Sequence, residues 1–258
     1  MGLRQLLLVI ERDLRMFIQY KFLLIMRGIW FVSQVALFGL VVNKMVQAAV
    51  PDYFQYYVAG VTIITLYSTA MFIGYDIFEE AEHGVFEYLL TLPVSRRELV
   101  LGRSIGGGLR SFIYVGPLIV VVLLLLGVSN PIYLLISVAA LFLFAFGVSG
   151  MSITLAVAMK SGDKYDIVVG VLDALIVRLS TTMYPTLYMQ RAMPAYASIA
   201  NFNPLTYASD LFRWGTGIEG TLQFAPVVGI LALFTFFFAF TFVGVVFYER
   251  RLEGGSWQ

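Results

Sequence analysis

Six long, continuously apolar runs constrain this chain more than any other feature of it. They occupy residues 22–42, 57–77, 111–128, 132–159, 167–184 and 224–248. A helix crossing the roughly 30 Å hydrocarbon core of a bilayer needs about 20 such residues. The runs are continuous rather than alternating, which selects helices over a transmembrane barrel. With 60% hydrophobic and 13% charged residues and a mean hydropathy of +0.86, the composition lies far from that of a soluble domain. The expected fold class is therefore an all-α membrane protein with six transmembrane helices, one domain spanning residues 1–258. The fifth run is the weakest, because Asp173 and Arg178 interrupt it.

Composition also excludes chemistry. The chain has no cysteine and a single histidine, His83, so disulfides, thiolate catalysis and cysteine or histidine metal sites are not expected. A net charge of +1 gives no reason to expect nucleic acid. Gly147, Val148, Ser149 and Gly150 match the nucleophile motif of intramembrane serine proteases. That chemistry needs a histidine inside the membrane to activate the serine, and these residues read instead as small residues packing between helices. Asp76 and Asp166 each follow a tyrosine but lack the Gly-x-Gly-Asp of an intramembrane aspartyl protease. No phosphate-binding Gly-x-x-x-x-Gly-Lys-Ser/Thr loop occurs, so the chain is not expected to be an enzyme or to bind ATP by itself.

Orientation follows from the loops. Thirteen of the seventeen Lys and Arg residues fall on the side of the N-terminus, among them Arg4, Arg12, Arg15, Arg96, Arg97, Arg103 and Arg110. The positive-inside bias places both termini in the cytoplasm. Residues 1–20 carry Leu3, Leu6, Leu7, Ile10, Leu14 and Phe17 at helical spacing with charges between them. This is an amphipathic helix, either lying along the interface or leading into the first span.

Two further regions stand out. The external stretch 185–223 is too apolar for a solvated loop, and Pro194 and Pro204 divide it into pieces, two short helices dipping into the outer leaflet or an aromatic belt. Asp173 and Arg178 are ionisable residues inside a span, where such groups are rare and face protein or water. Five residues apart, they lie on different helix faces and are not expected to pair. They form either the wall of a translocation path or structural ion pairs with other helices.

The cytoplasmic stretch 79–103 combines an acidic entry, Gly84, a short apolar segment around Phe86, Leu89 and Leu90, then Pro93, Val94, Ser95 and a basic exit. The pattern predicts a short helix ended near Pro93. It also predicts a new helix capped by Ser95, with Glu98 completing a capping box. Here Glu82, Gly84, Glu87, Leu89, Leu90, Pro93, Val94 and Ser95 resemble the region between the second and third spans of the type 2 ABC transporter permeases. A second match lies far along the chain: Asn203, Pro204, Leu205, Thr206 and Tyr207, followed by Asp210 and Arg213, are similar to the segment before that family's last span. Ala81 and Val85 depart from the pattern, which has Arg and Thr there.

The resemblance implies a membrane-spanning exporter subunit. It would have an N-terminal amphipathic helix, a cytoplasmic coupling helix, and short re-entrant helices before the last span. It implies two copies, or a pair with a similar permease, docked on separate ABC ATPase subunits that bind ATP and magnesium, in the cell membrane of a prokaryote. Gly84, Phe86, Glu87, Leu89, Leu90 and Pro93 would contact the ATPase. Apart from the resemblance, the residues themselves make Asn203, Pro204 and Tyr207 candidates for an external gate, and Asp173 and Arg178 candidates for a pathway wall, against an aromatic belt and structural ion pairs. The competing reading is a secondary transporter or channel driven by an ion gradient, with Asp173 carrying the ion. Membrane lipids surround the chain under either reading.

Overall fold

A computed structural model of the chain describes residues 3–251, apart from 20, 47, 49, 51, 129, 160 and 219–221. Every regular element among these residues is helical. The order is α1 (Leu3–Gln19), α2 (Lys21–Ser33), a π-helical segment (Gln34–Gly39), α3 (Leu40–Val46), α4 (Tyr53–Met71), α5 (Ile73–Glu82), α6 (Val85–Thr91), α7 (Arg96–Leu126), α8 (Pro131–Met159), α9 (Gly162–Arg178), α10 (Thr186–Ala192), α11 (Pro194–Ala200), α12 (Pro204–Thr216) and α13 (Pro226–Arg251).

Five of the six apolar runs form helices long and apolar enough to cross a membrane: Gly28–Val46, Tyr53–Glu82, Arg96–Leu126, Pro131–Met159 and Pro226–Phe247. The fifth run behaves differently. Its helix, α9, has 17 residues and stops at Arg178, which is about 26 Å of helix. Residues 179–184 are non-helical bends and turns. The expected span over 167–184 is therefore shortened at its far end, for a reason set out below.

The centre of the bundle is α4, most of whose residues are buried. Its polar side chains satisfy themselves locally. Thr62, Thr65 and Thr69 donate to the carbonyls of Val58, Val61 and Thr65 at 2.7–2.9 Å, as a hydroxyl must where no water is present. After a single turn residue, Phe72, the chain continues as α5, so Tyr53–Glu82 forms a near-continuous rod of 30 residues, about 45 Å long. The joint is fastened from two sides. Ser152 of α8 donates to Met71 O at 2.6 Å and accepts from Gly74 N at 2.9 Å, and the Tyr165 hydroxyl of α9 donates to Met71 O at 2.9 Å. Backbone groups left open by the break thus find partners.

Helices α8 and α13 pack closely because their contact is made of small residues. A Cβ on Gly147 would meet the Phe237 backbone at 3.0 Å, and one on Gly244 would meet Gly150 O at 3.2 Å. The Gly147–Gly150 motif is therefore a packing seam. The amphipathic α1 docks on the first half of α7. Leu6, Val9, Ile10 and Phe17 are buried, while Leu7, Leu8 and Ile18 are more than half exposed. A Cβ on Gly102 would lie 2.8 Å from Val9 Cγ1, so the glycine sets how near α1 can come.

Candidate functional site

Two regions at opposite ends of the Tyr53–Glu82 rod concentrate the polar residues. At the first, α5 ends at Glu82, and Gly84 adopts a left-handed backbone with φ +68°. That conformation is cheap for glycine and costly for other residues, and it turns the chain sharply into α6. Leu92 is extended, Pro93 prevents continuation, and Ser95 starts α7 with the expected capping box. Glu98 N donates to Ser95 Oγ at 3.2 Å, and Ser95 N to Glu98 Oε2 at 3.0 Å. The seven-residue α6 is thus held between two fixed corners. Gln5 of α1 also donates to Pro93 O at 3.1 Å.

The faces of α6 are not equivalent. Leu89 is buried against the bundle at 7% exposure, whereas Tyr88 is 63% exposed and Val85 is also exposed. Gly84 and Pro93 are at the surface. The side chains of Phe86, Glu87 and Leu90 lie outside the described residues. Sequence reasoning treated Leu89 as an outward anchor, but its position one turn beyond Val85 does not reveal which side of so short a helix meets the bundle.

Behind α6 sits a cluster of charges that sequence reasoning missed. Glu80, buried in the last turn of α5, accepts from Arg103 of α7 at 2.6 Å and from Arg12 of α1. Arg12 also reaches Asp13 at 3.4 Å. Arg110 pairs with Asp76. Asp13 is buried above Gly106, where a Cβ would come within 3.2 Å of it. Its Oδ2 has no hydrogen-bond partner among the described residues. Burial therefore pushes its pKa up to about 6, against the pull of Arg103 and Arg12. These groups line a cavity of about 400 Å³. The only signal in the sequence was the density of charge on facing segments.

At the other end of the rod, the stretch 185–223, over its described residues, is not confined to two helices. It forms α10, α11 and α12, with Pro194 and Pro204 each beginning a helix, where a missing N–H costs nothing. Helix α12 enters the bundle: Leu205, Ala208, Leu211 and Phe212 are buried. Asn203, Thr206, Asp210 and Arg213 recur at intervals of three and four along it and so share one face.

That face explains where α9 stops. Asn203 Nδ2 donates to Ile176 O at 2.6 Å, one of the helix-end carbonyls that lack intrahelical donors. Thr206 Oγ1 accepts from Thr181 N at 3.2 Å. Arg213, fully buried, donates through Nη2 to Thr182 O at 2.8 Å and Thr181 O at 3.2 Å. From α4, the Tyr56 hydroxyl reaches Thr181 O and Tyr184 O, and the Tyr53 hydroxyl reaches Met183 O. Asp210 accepts from Gln223 N and Phe224 N at 2.9 and 3.3 Å, just ahead of α13. Side chains thus supply the donors that a continuing helix would have supplied itself.

The remaining predicted residues are dispersed. Pro204 starts α12, and the Tyr207 hydroxyl donates to Asn201 O while its ring stacks on Phe224. Asp173 is half buried beside Tyr67, whereas Arg178 is exposed and lines an apolar cavity of about 640 Å³ with Tyr53, Tyr184, Tyr188 and Tyr196. The two groups face different surroundings, as their spacing requires.

Residues 4–217 match the family described as ABC-2 type transporter. The chain belongs to that family. It is also similar to the protein named "Putative transport permease ycf38" of Cyanophora paradoxa, with 26% identity over 167 residues. That similarity covers 63% of this chain and 56% of that protein's length. Membership of this family, with five helices long and apolar enough to cross a membrane, fits a multi-pass membrane protein.

Proposed function

We propose that the chain is the membrane-spanning permease subunit of an ABC exporter, working as a pair of permeases driven by separate ATPase subunits. The observation that carries this reading is the mounting of α6. A short helix is fixed between Gly84 and the Ser95 cap, attached to one end of a 30-residue rod, with Val85 and Tyr88 exposed. A rigid body transmits displacement where a flexible loop would absorb it. In this reading α6 is the coupling helix in the cytoplasm, with Gly84 and Pro93 setting its corners. Tyr88, together with Phe86, Glu87 and Leu90, meets the ATPase, while Val85 lines the cavity behind α6 on the same side as Leu89. Leu89 braces α6 from behind.

ATP and magnesium belong to the partner, and both termini of the permease face the cytoplasm. The fifth run acts as the fifth of six spans, its short helix completed by the bends at 179–184. Two copies would meet along the open face of α9, where Ile167, Val171, Leu175 and Arg178 recur at helical spacing and are exposed. An arginine with no ion-pair partner among the described residues is costly against lipid, which favours water or a second subunit beside it. Asn203, Pro204 and Tyr207 then belong to the external gate region. The placement of Asp173 beside Tyr67, rather than on that open face, favours a structural role for it over ion carriage.

The test is co-expression with an ABC ATPase subunit from the same organism. The reading expects a stable complex whose ATP hydrolysis depends on α6. Failure to assemble, together with proton- or sodium-driven transport lost in Asp173→Asn, would replace it with the ion-gradient reading.

A further inference from the structure

The four-residue stripe of α12 does more than end a helix. Asn203, Thr206, Asp210 and Arg213 join three separate pieces of chain: the end of α9, the bends at 179–184, and the segment leading into α13. Two tyrosines tie those same bends to α4. Arg213 joins the two sets, since its guanidinium lies 3.5 Å from the centroid of the Tyr56 ring while it donates to Thr181 O and Thr182 O. Gly60, one turn beyond Tyr56, lets the backbones meet, because a Cβ there would overlap the Thr182 carbonyl.

We propose that this stripe, with Tyr56, is a latch that makes the bends at 179–184 ride on the end of the Tyr53–Glu82 rod. A displacement delivered to α6 is then felt at the α9–α10 break, about 45 Å away along the helix. The inference rests on the permease reading and adds positioning residues to it. The physical reason is a comparison of costs. If the rod moved and the bends stayed, several buried bonds, including those of a buried guanidinium, would break together without water to replace them. If the bends follow, those bonds survive and the strain falls on α10 and α11, which are partly exposed. Asp210 carries the motion further, because it holds the two amides ahead of α13.

This also gives a mechanical reason for the spacing of polar residues in α12. A packing helix would need apolar residues at 206, 210 and 213. Here a threonine, an aspartate and an arginine occupy that face, each buried and each bonded to backbone on another segment.

The test uses the full chain with its partner ATPase in phospholipid vesicles. The chain has no native cysteine, so Met183→Cys supplies a single reporter in the bends for a membrane-impermeant maleimide. With the latch intact, its labelling rate should differ several-fold between the nucleotide-free and ATP-trapped states. Tyr56→Phe removes only a hydroxyl; it should leave assembly and ATPase rate unchanged while cutting that difference by more than half. Arg213→Gln should abolish the difference, and Arg213→Lys should restore part of it, since one ammonium can reach one carbonyl but not hold the fork. A full ATP response in Tyr56→Phe and in Arg213→Lys overturns the latch. Should Arg213→Gln fail to fold, Tyr56→Phe decides.

Hydrogen exchange on the permease without ATP provides the second arm: amides 179–184 should exchange faster in both Tyr56→Phe and Arg213→Lys, and unchanged exchange overturns the proposal. In a complex that assembles and hydrolyses ATP, a parent reporter that ignores ATP overturns the latch; a chain that forms no complex with the ATPase overturns the permease reading instead.

Discussion

Arg103 Nη1 lies 2.6 Å from Glu80 Oε2, with the two side chains only 1% and 5% exposed. Arg12 takes the other carboxylate oxygen. A carboxylate in the last turn of a helix sits against the negative end of its dipole, so Glu80 depends on these two cations. Together they bind α1 and α7 to the end of the rod from which α6 projects. Removing one partner of such a buried pair costs about 3–5 kcal/mol, whereas replacing both with apolar groups can be nearly neutral. Glu80→Gln should therefore lower the thermal midpoint of the detergent-solubilised protein strongly. The double variant Glu80→Leu with Arg103→Leu should recover much of the loss. A Glu80→Gln protein as stable as the parent would show that the cluster contributes little.

Asp13 predicts a pH dependence of the opposite sign to that of a salt-bridged carboxylate, whose pKa is lowered. Its folded pKa, about 6, lies above the ordinary 3.8. Between those values the folded chain holds a proton that the unfolded chain has released, so stability falls as pH rises through that window. Above it the ionised, buried carboxylate imposes a penalty on the order of 3 kcal/mol. Asp13→Asn should flatten the profile between about pH 4 and pH 6 and should not destabilise the protein at neutral pH. Thermal unfolding across that range would show it; an unchanged slope in the variant would count against the assignment.

Gly84→Ala should cost about 1–2 kcal/mol, because a Cβ disfavours its left-handed backbone. Among the described residues no neighbour stands within 4 Å of that Cβ, so backbone strain is the expected cost. Gly84→Asn should cost less, since asparagine tolerates this conformation. Equal stability of all three proteins would mean that the corner is not held as described.

Leu89→Ala should destabilise the permease itself by about 2–4 kcal/mol as a buried truncation. Tyr88→Ala should leave the isolated permease within about 0.5 kcal/mol of the parent and weaken its hold on the ATPase. Thermal melts of the permease alone, set beside co-purification yields, separate the two effects.

Much of this architecture was legible because its causes are local. Continuous apolar runs place the long helices, Pro194 and Pro204 divide the external stretch into pieces, and Ser95 with Glu98 announces a cap within four residues. The end of α9 was not legible in the same way. The donors that stop it at Arg178 come from Asn203, Arg213 and Tyr56, far away in sequence, and residues 179–184 are themselves apolar or small enough to continue a span. The orientation of Leu89 was hidden for a related reason: a seven-residue helix has too few turns for periodicity to decide its buried side. Arg12, Glu80 and Arg103 were visible only as charges in three segments, and nothing local says that those segments meet.

The central claim is that α6 carries the motion of an ATPase into the membrane through its exposed face. Site-directed cross-linking tests it most directly, since any cysteine introduced is unique in this chain. In the assembled complex, Tyr88→Cys should cross-link to the ATPase subunit, and the yield should change with ATP, while Leu89→Cys should not cross-link. A complex in which Tyr88→Cys fails to cross-link, or in which Leu89→Cys does so instead, would contradict the account.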